Sequence, residues 1–329
     1  MLKPKIILTG ACGMIGSVLL KQLNDRGIND VLLVDNMGKA DKWKNLYGLK
    51  FNDIILPGEL LDMIERNDTV LQDIDVVFHI GACSSTTETD VDYLLVNNVH
   101  YSQELALWAI ERSARFIFAS SAATYGSGEN GFNDDEALLD SLRPLNAYGF
   151  SKHLFDLWSA RHGLFKKIVS LKYFNVFGPN EYHKGPMRSM ALKGFEQIQK
   201  EGKVRLFKSY KKEYKDGEQQ RDFIYVKDAV RASLFFIDNR EASGIFNIGT
   251  GNPRTWNDMM RSIFKAVGKE EKIEYIDMPE QIKGQYQYHT KSEIEKLRRA
   301  GFKEEFMSLE ESIEDYIKNY LIGHKYIGD

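Results

Sequence analysis

The chain has 329 residues, 44 of them Lys or Arg and 47 of them Asp or Glu, so its formal net charge is −3 at pH 7. This length suits one large α/β domain or a domain with a smaller lobe, and the near-neutral charge argues against a dedicated nucleic-acid-binding protein. Hydrophobic residues at 43% and charged residues at 28% exclude a largely disordered or fibrous chain.

The cysteine count and the N-terminal residues favour a cytoplasmic protein. Cys12 and Cys83 are too few for a disulfide framework or a four-cysteine zinc site, and we expect no metal. The apolar run at Ile6–Leu8 is far shorter than the roughly 7–15 residues of a signal-peptide core. No segment approaches the roughly 20 apolar residues of a membrane span, so we expect no membrane partner.

The first predicted elements are a strand, a glycine-rich turn and a helix. Lys5–Leu8 predicts a buried strand, and Ser17–Asp25 carries apolar residues at helical spacing. Glycines in the intervening Thr9–Gly16 let backbone N–H groups approach a pyrophosphate, and the helix N-terminus adds a partial positive charge. Asp35 follows a second predicted strand, Val31–Val34, at the distance typical of a ribose-binding carboxylate. The sequence therefore predicts a dinucleotide site.

The residues after Asp35 leave the phosphorylation state of that dinucleotide open. A carboxylate at this position accepts hydrogen bonds from the adenine-side ribose and favours NAD over NADP. However, Lys39, Lys42 and Lys44 follow it, and a lysine placed over the ribose binds a 2′-phosphate. The same lysines are equally consistent with a solvated loop.

Strands and helices continue to alternate up to Phe174. Strands are predicted at Asp75–His79, Phe116–Ala119 and Ile168–Leu171, and helices are predicted at Tyr93–Arg112 and Ala147–His162. Parallel strands need crossover connections, so this alternation predicts an α/β fold, a doubly wound parallel Rossmann sheet with helices on both faces. We assign residues 1–175 to this NAD(P)-binding domain.

A smaller mixed α/β lobe for substrate is expected at residues 176–329. Its charged stretch Lys208–Gln220 is interpreted as a solvated loop. Ile245–Ile248 predicts a late strand that either returns to the Rossmann sheet, near residues 222–250, or pairs within the lobe. Terminal helices are predicted in Ser292–Tyr320.

Tyr148 and Lys152 are four residues apart in the predicted helix and therefore share one of its faces. A free phenol, with a pKa near 10, is a poor base at neutral pH. An adjacent cation favours the phenolate, so the pair is suited to moving a proton to or from an alcohol. Ser121, at the end of the preceding strand, adds a hydroxyl for the same substrate oxygen.

Three further segments carry a family resemblance: His79–Glu88, Ala119–Gly126, and Tyr173–Pro179 with its continuation His183–Gly185. On these residues, the glycine turn and the Tyr148–Lys152 pair, the chain resembles the extended short-chain dehydrogenase/reductases, which include nucleotide-sugar epimerases and dehydratases. Within that superfamily it is most similar to the ADP-L-glycero-D-manno-heptose 6-epimerase family. The resemblance covers nearly the whole chain.

The resemblance implies epimerisation at C6″ of ADP-D-glycero-D-manno-heptose through a transient 6″-keto intermediate with bound NADP, in lipopolysaccharide inner-core precursor synthesis. It implies Tyr148 and Lys184 as the two acid/base groups, on opposite sides of the sugar. Ser121 would hydrogen-bond the reacting oxygen, and Lys152 would hold the nicotinamide ribose and bias Tyr148 toward phenolate. The family also implies a homo-oligomer, pentameric in relatives.

The resemblance further implies a set of binding residues. The cofactor residues would be Gly10, Gly13, Met14, Ile15 and Gly16 at the pyrophosphate, Asp35, Asn36 and Lys42 at the adenosine ribose, Ile80, Gly81, Ala82, Cys83, Ser84 and Asn97 beside the adenosine and pyrophosphate, and Lys152, Val176 and Lys184. The substrate residues would be Asn175, Lys193, Phe207, Ser209, Arg221 and Tyr286. Arg221 suits a diphosphate because a guanidinium binds phosphate oxygens bidentately.

Three other functions are compatible with parts of this sequence. A 4,6-dehydratase usually has an Asp-Glu pair where this chain has Ala122-Ala123, and alanine moves no proton. A UDP-sugar 4-epimerase using NAD shares the Ser, Tyr and Lys set, although Lys184 and the run Gly81–Thr87 favour the heptose epimerase. A non-catalytic dinucleotide-binding sensor typically lacks the Tyr or the Lys of the pair, and this chain has both.

Overall fold

Buried apolar runs build a central sheet in this computed structural model, which describes residues 3–283 and 286–329. The strands are β1 (Ile6–Thr9), β2 (Val31–Val34), β3 (Asp53–Ile55), β4 (Val76–His79), β5 (Arg115–Ser121), β6 (Ile168–Tyr173), β7 (Asn175–Phe177), β8 (Val204–Phe207), β9 (Gln220–Arg221), β10 (Phe223–Tyr225), β11 (Gly244–Ile248), β12 (Arg254–Thr255) and β13 (Ile273–Ile276). The helices are α1 (Met14–Asp25), α2 (Pro57–Glu65), α3 (Val91–Leu94), α4 (Tyr101–Glu111), α5 (Ala147–Arg161), α6 (Met190–Glu201), α7 (Val226–Asp238), α8 (Trp256–Val267), α9 (Glu280–Lys283), α10 (Glu295–Arg299) and α11 (Leu309–Tyr316).

Seven strands form one parallel sheet in the order β11-β6-β5-β4-β1-β2-β3. Every residue of β1, β2, β4, β6 and β11 is buried, as continuous apolar strands covered on both faces require. The predicted Rossmann sheet is confirmed. The late strand at Ile245–Ile248 pairs with β6 and so extends this sheet.

Helices cover both faces of the sheet. Apolar residues of α1 and α7 share one core cluster with β1, and residues of α4 and α5 share another with β5. The single helix predicted at Tyr93–Arg112 is a continuous run of α3, a π-helical turn at Leu95–His100, and α4. A π turn inserts an extra residue into the helix, which changes the face that each following side chain occupies.

A third apolar cluster lies outside the sheet and joins α6, α8, α11 and strand β8. Two-stranded pairs accompany it: β7 with β10, β8 with β13, and β9 with β12. The predicted terminal helical region contributes to two cores, because Leu297 of α10 joins the sheet core and Ile313 of α11 joins the third cluster. In the described parts of the chain, every helix is too short or too polar to cross a lipid bilayer.

One buried carboxylate connects the segment between β9 and β10 to the loop after the sheet strand β11. Asp222, between β9 and β10, is fully buried. It accepts five hydrogen bonds: from the backbone and hydroxyl of Thr250 (both 2.7 Å), from the backbone of Gly251 (2.9 Å), and from the backbone and hydroxyl of Ser292 (2.9 and 2.5 Å). Thr250 and Gly251 follow β11, so the carboxylate fixes the loop at the end of the outermost sheet strand.

Replacing this carboxylate should destabilise the fold strongly. Asp222→Ala removes the acceptor of five buried or half-buried hydrogen bonds, and we expect the free energy of unfolding to fall by about 3 kcal/mol or more. Asp238→Ala is the matched control, because that carboxylate is 68% exposed and, among the residues the structure describes, pairs only with Arg26 at 3.1 Å; its loss should cost less than about 1 kcal/mol. Urea unfolding followed by circular dichroism measures both values. Equal stability of the two variants would contradict this role.

Candidate active site

The glycine turn between β1 and α1 is packed backbone to backbone against the loop after β4. Gly10 has a positive φ of 66°, and a Cβ added there would lie 2.6 Å from the Gly81 Cα. A Cβ on Gly16 would overlap the Gly10 carbonyl oxygen. Among the described residues, no side chain caps the N-terminus of α1 and none in its first turn is acidic. The helix therefore presents free N–H groups suited to a phosphate.

A cavity of about 640 Å³ opens at the carboxyl ends of the central strands. All four predicted catalytic residues line it, together with most of the predicted cofactor residues. The predicted residues in its wall are Gly10, Gly13, Met14, Ile15, Gly16, Asp35, Lys42, Ile80, Gly81, Ala82, Cys83, Ser84, Ser121, Tyr148, Lys152, Asn175, Val176 and Lys184. An adjoining cavity of about 420 Å³ shares Gly10, Asp35 and Lys42 with the main cavity. Its wall includes the two remaining predicted cofactor residues, Asn36 and Asn97.

The first turn of α5 brings Tyr148 to Ser121. Asn146 caps this helix by accepting a hydrogen bond from the Gly149 backbone at 2.8 Å. A Cβ on Gly149 would lie 2.8 Å from the Ala123 carbonyl oxygen, so only glycine lets the helix approach the segment after β5 this closely. The Ser121 hydroxyl lies beside Tyr148 there and lowers the pKa of that phenol. The two hydroxyls thus face the same part of the cavity.

Burial dominates the proton affinities of Tyr148 and Lys152. It raises the pKa of Tyr148, and the neighbouring Ser121 hydroxyl opposes that rise. Burial also lowers the pKa of Lys152 to about 7, with Asp156 opposing. Lys152 is not among the described groups that shift the pKa of Tyr148 in the chain alone, so its bias of Tyr148 toward phenolate stays a prediction. The Lys152 Nζ lies 4.5 Å above the Phe118 ring and lacks a hydrogen-bond partner among the described residues.

Asp35 and Lys42 form an ion pair at the junction of the two cavities. The Asp35 carboxylate also accepts a hydrogen bond from the Cys12 backbone at 2.7 Å, which ties it to the glycine turn. The Cys12 thiol is buried, and this burial raises its pKa to about 12. Cys12 is therefore a packing residue and no nucleophile.

Lys184 enters the cavity from a separate segment, the short 3₁₀ helix Tyr182–Met187. Burial lowers the pKa of Lys184, and the negative charge of Glu181 opposes this effect. Asn45 connects the segment to the glycine turn, because its amide donates to the carbonyls of Cys12 (2.8 Å) and Asn180 (3.0 Å). The two sides of the cavity are thereby held in one network.

The predicted substrate residues divide into separate groups. Asn175 lines the main cavity, whereas Lys193, Phe207, Ser209, Arg221 and Tyr286 lie outside its wall. The Arg221 guanidinium lies over the Tyr286 ring (5.2 Å) and the Trp256 ring (5.6 Å).

Backbone contacts place these groups relative to one another. The Asn175 backbone N–H donates to the Asp222 carbonyl at 3.1 Å. Because Arg221 precedes Asp222 in the sequence, the guanidinium that lies over the two rings is attached one residue from this contact. The Lys193 ammonium donates to the Pro186 carbonyl at 2.6 Å, next to the Lys184 segment. Phe207 ends β8, and the Ser209 hydroxyl bonds within its own loop, to the Lys211 carbonyl at 3.0 Å.

Sequence reasoning missed Asn98, which organises the loop that carries Cys83. Its side chain accepts from the Cys83 backbone (2.8 Å) and donates to the Cys83 carbonyl (2.9 Å) and the Ser151 hydroxyl (3.0 Å). The pair Asn97-Asn98 was a visible signal, but which of the two faces inward depends on the π turn. His183 and Met187 also line the cavity, and neither was among the predicted site residues.

Three observations show that the cavity fits a dinucleotide. The side-chain-free turn at Gly10 and Gly16 and the uncapped start of α1 suit a pyrophosphate. The buried Lys152 ammonium supplies donors aimed at the cavity. Within the described residues, no three His, Cys, Asp or Glu side chains gather as a metal site would require.

Comparisons with known proteins agree with this geometry. An ADP-L-glycero-D-manno-heptose-6-epimerase of Nitratidesulfovibrio vulgaris strain DP4 is 50% identical over 315 residues, covering 96% of this chain and 97% of its own. A protein of the same name from Fusobacterium nucleatum is 46% identical over 325 residues, covering 96% and 98%. The crystal structure of the Helicobacter pylori ADP-L-glycero-D-manno-heptose-6-epimerase superposes with a TM-score of 0.79 at 28% identity, covering 96% of each chain.

The family model described as the NAD dependent epimerase/dehydratase family matches residues 6–249, from β1 to the loop after β11. The superfamily resemblance found in the glycine turn and the Tyr148–Lys152 pair is thus confirmed. On this match and on its relatives over nearly the whole chain, the protein belongs to the NAD dependent epimerase/dehydratase family.

Proposed function

We propose that this protein converts ADP-D-glycero-D-manno-heptose to ADP-L-glycero-D-manno-heptose by epimerisation at C6″. The observation that carries the proposal is that one cavity contains two proton-transferring groups, Tyr148 and Lys184, from separate segments of the chain. Relatives named for this reaction, 46% to 50% identical over 96% of the chain, support it. Neither a UDP-sugar 4-epimerase nor a non-catalytic sensor has comparable support.

The cofactor we propose is NADP, with NAD as the alternative form of the same nicotinamide dinucleotide. When bound, the dinucleotide would supply reversible hydride transfer at C6″, which is the redox chemistry that inversion through a ketone requires. Gly10, Gly13 and the start of α1 would bind the pyrophosphate, and Asp35 and Lys42 the adenosine ribose. The position of the Lys42 ammonium beside Asp35 supports NADP, because a cation there can bind a 2′-phosphate.

The chain's own groups manage the protons on the C6″ oxygen. In the oxidation step one group removes the hydroxyl proton, and in the reduction step the other protonates the oxygen in its second orientation. Burial lowers the pKa of Lys184 and raises the pKa of Tyr148. Either group would serve as proton acceptor in one step and as proton donor in the other. Ser121 would hydrogen-bond the reacting oxygen, and Lys152 would bind the nicotinamide ribose.

The other proposals concern domains, substrate and assembly. We assign cofactor binding to residues 1–175 with the return near 222–250, and substrate binding mainly to 176–329. The pairing of β11 with β6 supports the return. The stacked Arg221 would bind the substrate diphosphate, next to Tyr286, with Lys193, Phe207 and Ser209 as outer contacts. We further propose a cytoplasmic homo-oligomer, for which light scattering on the purified protein gives the stoichiometry.

Removing either proton-transferring group should abolish epimerisation. The purified protein should convert ADP-D-glycero-D-manno-heptose to a mixture of C6″ epimers, followed by NMR. Tyr148→Phe and Lys184→Met should each slow the conversion by about 10²-fold to 10⁴-fold. Tyr47→Phe and Lys166→Met are matched controls at exposed positions and should keep the wild-type rate. No conversion by the wild type with NADP or NAD, or full activity of Lys184→Met, would refute the proposal.

Lys42 should decide the preference for NADP. Removing its charge in Lys42→Met should weaken NADPH binding by about tenfold or more, because a charge-assisted contact to a 2′-phosphate is lost. NADH binding should change much less. Fluorescence titration with both nucleotides measures this, with Lys39→Met, an exposed lysine of the same loop, as control. An equal loss for both nucleotides would argue against Lys42 as the phosphate-binding residue.

Binding of NADH should weaken as pH rises above about 7. The pKa of Lys152 in the chain alone is about 7, and ribose hydroxyls that accept its hydrogen bonds would raise it. Binding then takes up a proton, so affinity should be constant below pH 7 and fall by up to about tenfold per pH unit above it. Titrations between pH 6 and 9 test this. Lys152→Met should bind weakly with a flat profile, whereas Lys166→Met should retain the slope.

A further inference from the structure

A buried carboxylate closes the turn that carries Lys184. Glu181 is fully buried. One oxygen accepts a hydrogen bond from the Ser189 hydroxyl (2.6 Å) and one from the Tyr316 hydroxyl (3.0 Å), and the other accepts from the Ser189 backbone (2.5 Å). Glu181 precedes Lys184 by three residues and Ser189 by eight. Its hydrogen bonds with Ser189 therefore connect the two ends of the turn that carries Lys184.

The same residue also holds the backbone at the start of the turn. The Glu181 carbonyl accepts a hydrogen bond from the Lys184 backbone at 3.0 Å. The turn contains Gly185 with a positive φ of 52°, followed by Pro186, so few of its own backbone bonds stabilise it. Ser189 in turn caps α6 by accepting from the Leu192 backbone at 3.2 Å. The Glu181 side chain therefore joins the lysine's turn to the beginning of α6.

A second anchor holds the turn from the opposite side. Asn180 donates to the Ser17 hydroxyl of α1 at 2.9 Å and accepts from the Ile327 backbone at 2.9 Å. Asn180 thus fixes the turn to the glycine-turn helix, whereas Glu181 fixes it to α6 and α11. Loss of the Glu181 bonds would leave the attachment through Asn180 in place. We therefore expect any displacement to be confined to the turn that carries Lys184.

Charge provides an independent reason to connect Glu181 with Lys184. Glu181 is the acidic group that acts electrostatically on the Lys184 ammonium, against the effect of burial. The reaction proposed above, on which this inference rests, needs that side chain at one position beside the sugar. We propose that Glu181 is a positioning residue for Lys184: it bridges the base of the turn and directs the lysine into the cavity.

Kinetics of Glu181→Gln test the proposal. The amide keeps the size of the side chain but removes the charge and places N–H donors against the Ser189 and Tyr316 donors. We expect kcat to fall by about tenfold or more, because misplacement of a reacting group by a fraction of an ångström slows the chemical step. KM and the NADH dissociation constant should stay within about threefold of wild type, since Glu181 is buried outside the walls of both cavities.

Asp315→Asn is the matched control on α11. Its carboxylate accepts from the Tyr225 hydroxyl (2.6 Å) and the Lys227 ammonium (2.7 Å), away from the turn. It should leave kcat unchanged. If Glu181→Gln does not fold, Ser189→Ala and Tyr316→Phe each remove donors to the same carboxylate and should lower kcat with KM preserved.

A double substitution separates positioning of Lys184 from a general structural effect. If Glu181 acts through Lys184, Glu181→Gln in the Lys184→Met background should slow the residual reaction by less than about twofold. An equal loss in both backgrounds would overturn the proposal, as would an unchanged kcat in Glu181→Gln or a parallel loss of NADH binding. Absence of conversion by the wild type would overturn the proposed function and this inference together. If the wild type does convert the heptose, the variants test the role of Glu181 alone.

Discussion

The architecture of the site depends on one contact in which two backbones meet without side chains. The turn after β1 and the loop after β4 touch at Gly10 and Gly81, and α1 approaches the same turn at Gly16. A single Cβ at any of the three would push apart the strands' carboxyl ends or the helix, and the cavity wall would move with them. The N-terminus of α1, the Asp35 carboxylate and the Ile80–Ser84 loop all take their positions from this contact.

The proposed reacting groups reach the cavity from two independently supported segments. Ser121, Tyr148 and Lys152 belong to the sheet and to α5, where a helix cap and a close approach at Gly149 set their positions. Lys184 belongs to a turn fastened to several distant parts of the chain. An epimerase has to protonate and deprotonate one oxygen in two orientations. Two rigid supports facing each other across one cavity meet that requirement better than a single flexible residue would.

Much of the fold was predictable because buried parallel strands are continuous apolar runs, and β2 coincides with the predicted Val31–Val34. Strand β3 was not predicted, since it is a short edge strand with an exposed Asp53 at its start. The site residues of the glycine turn and the Tyr148–Lys152 pair were predictable because each belongs to a short sequence pattern. All of them line the same cavity. The roles of Asp222 and Glu181 were invisible in the sequence, because each is defined by donors that only the folded chain brings together. Asn98 carried a signal, but the π turn decides that it, and not Asn97, faces inward. The proton affinities of Tyr148 and Lys152 likewise depend on burial, which the spacing of two residues does not encode.

The anchoring of the Lys184 turn has a consequence for the order in which the protein can mature during synthesis. Glu181 bonds Tyr316, 135 residues later, and Asn180 bonds Ile327, 147 residues later. A nascent chain that has emerged only to α5 already holds the glycine turn, Ser121, Tyr148 and Lys152. Its Lys184 turn must wait for almost the whole chain to leave the ribosome. We therefore expect the two halves of the proposed proton machinery to mature at different times.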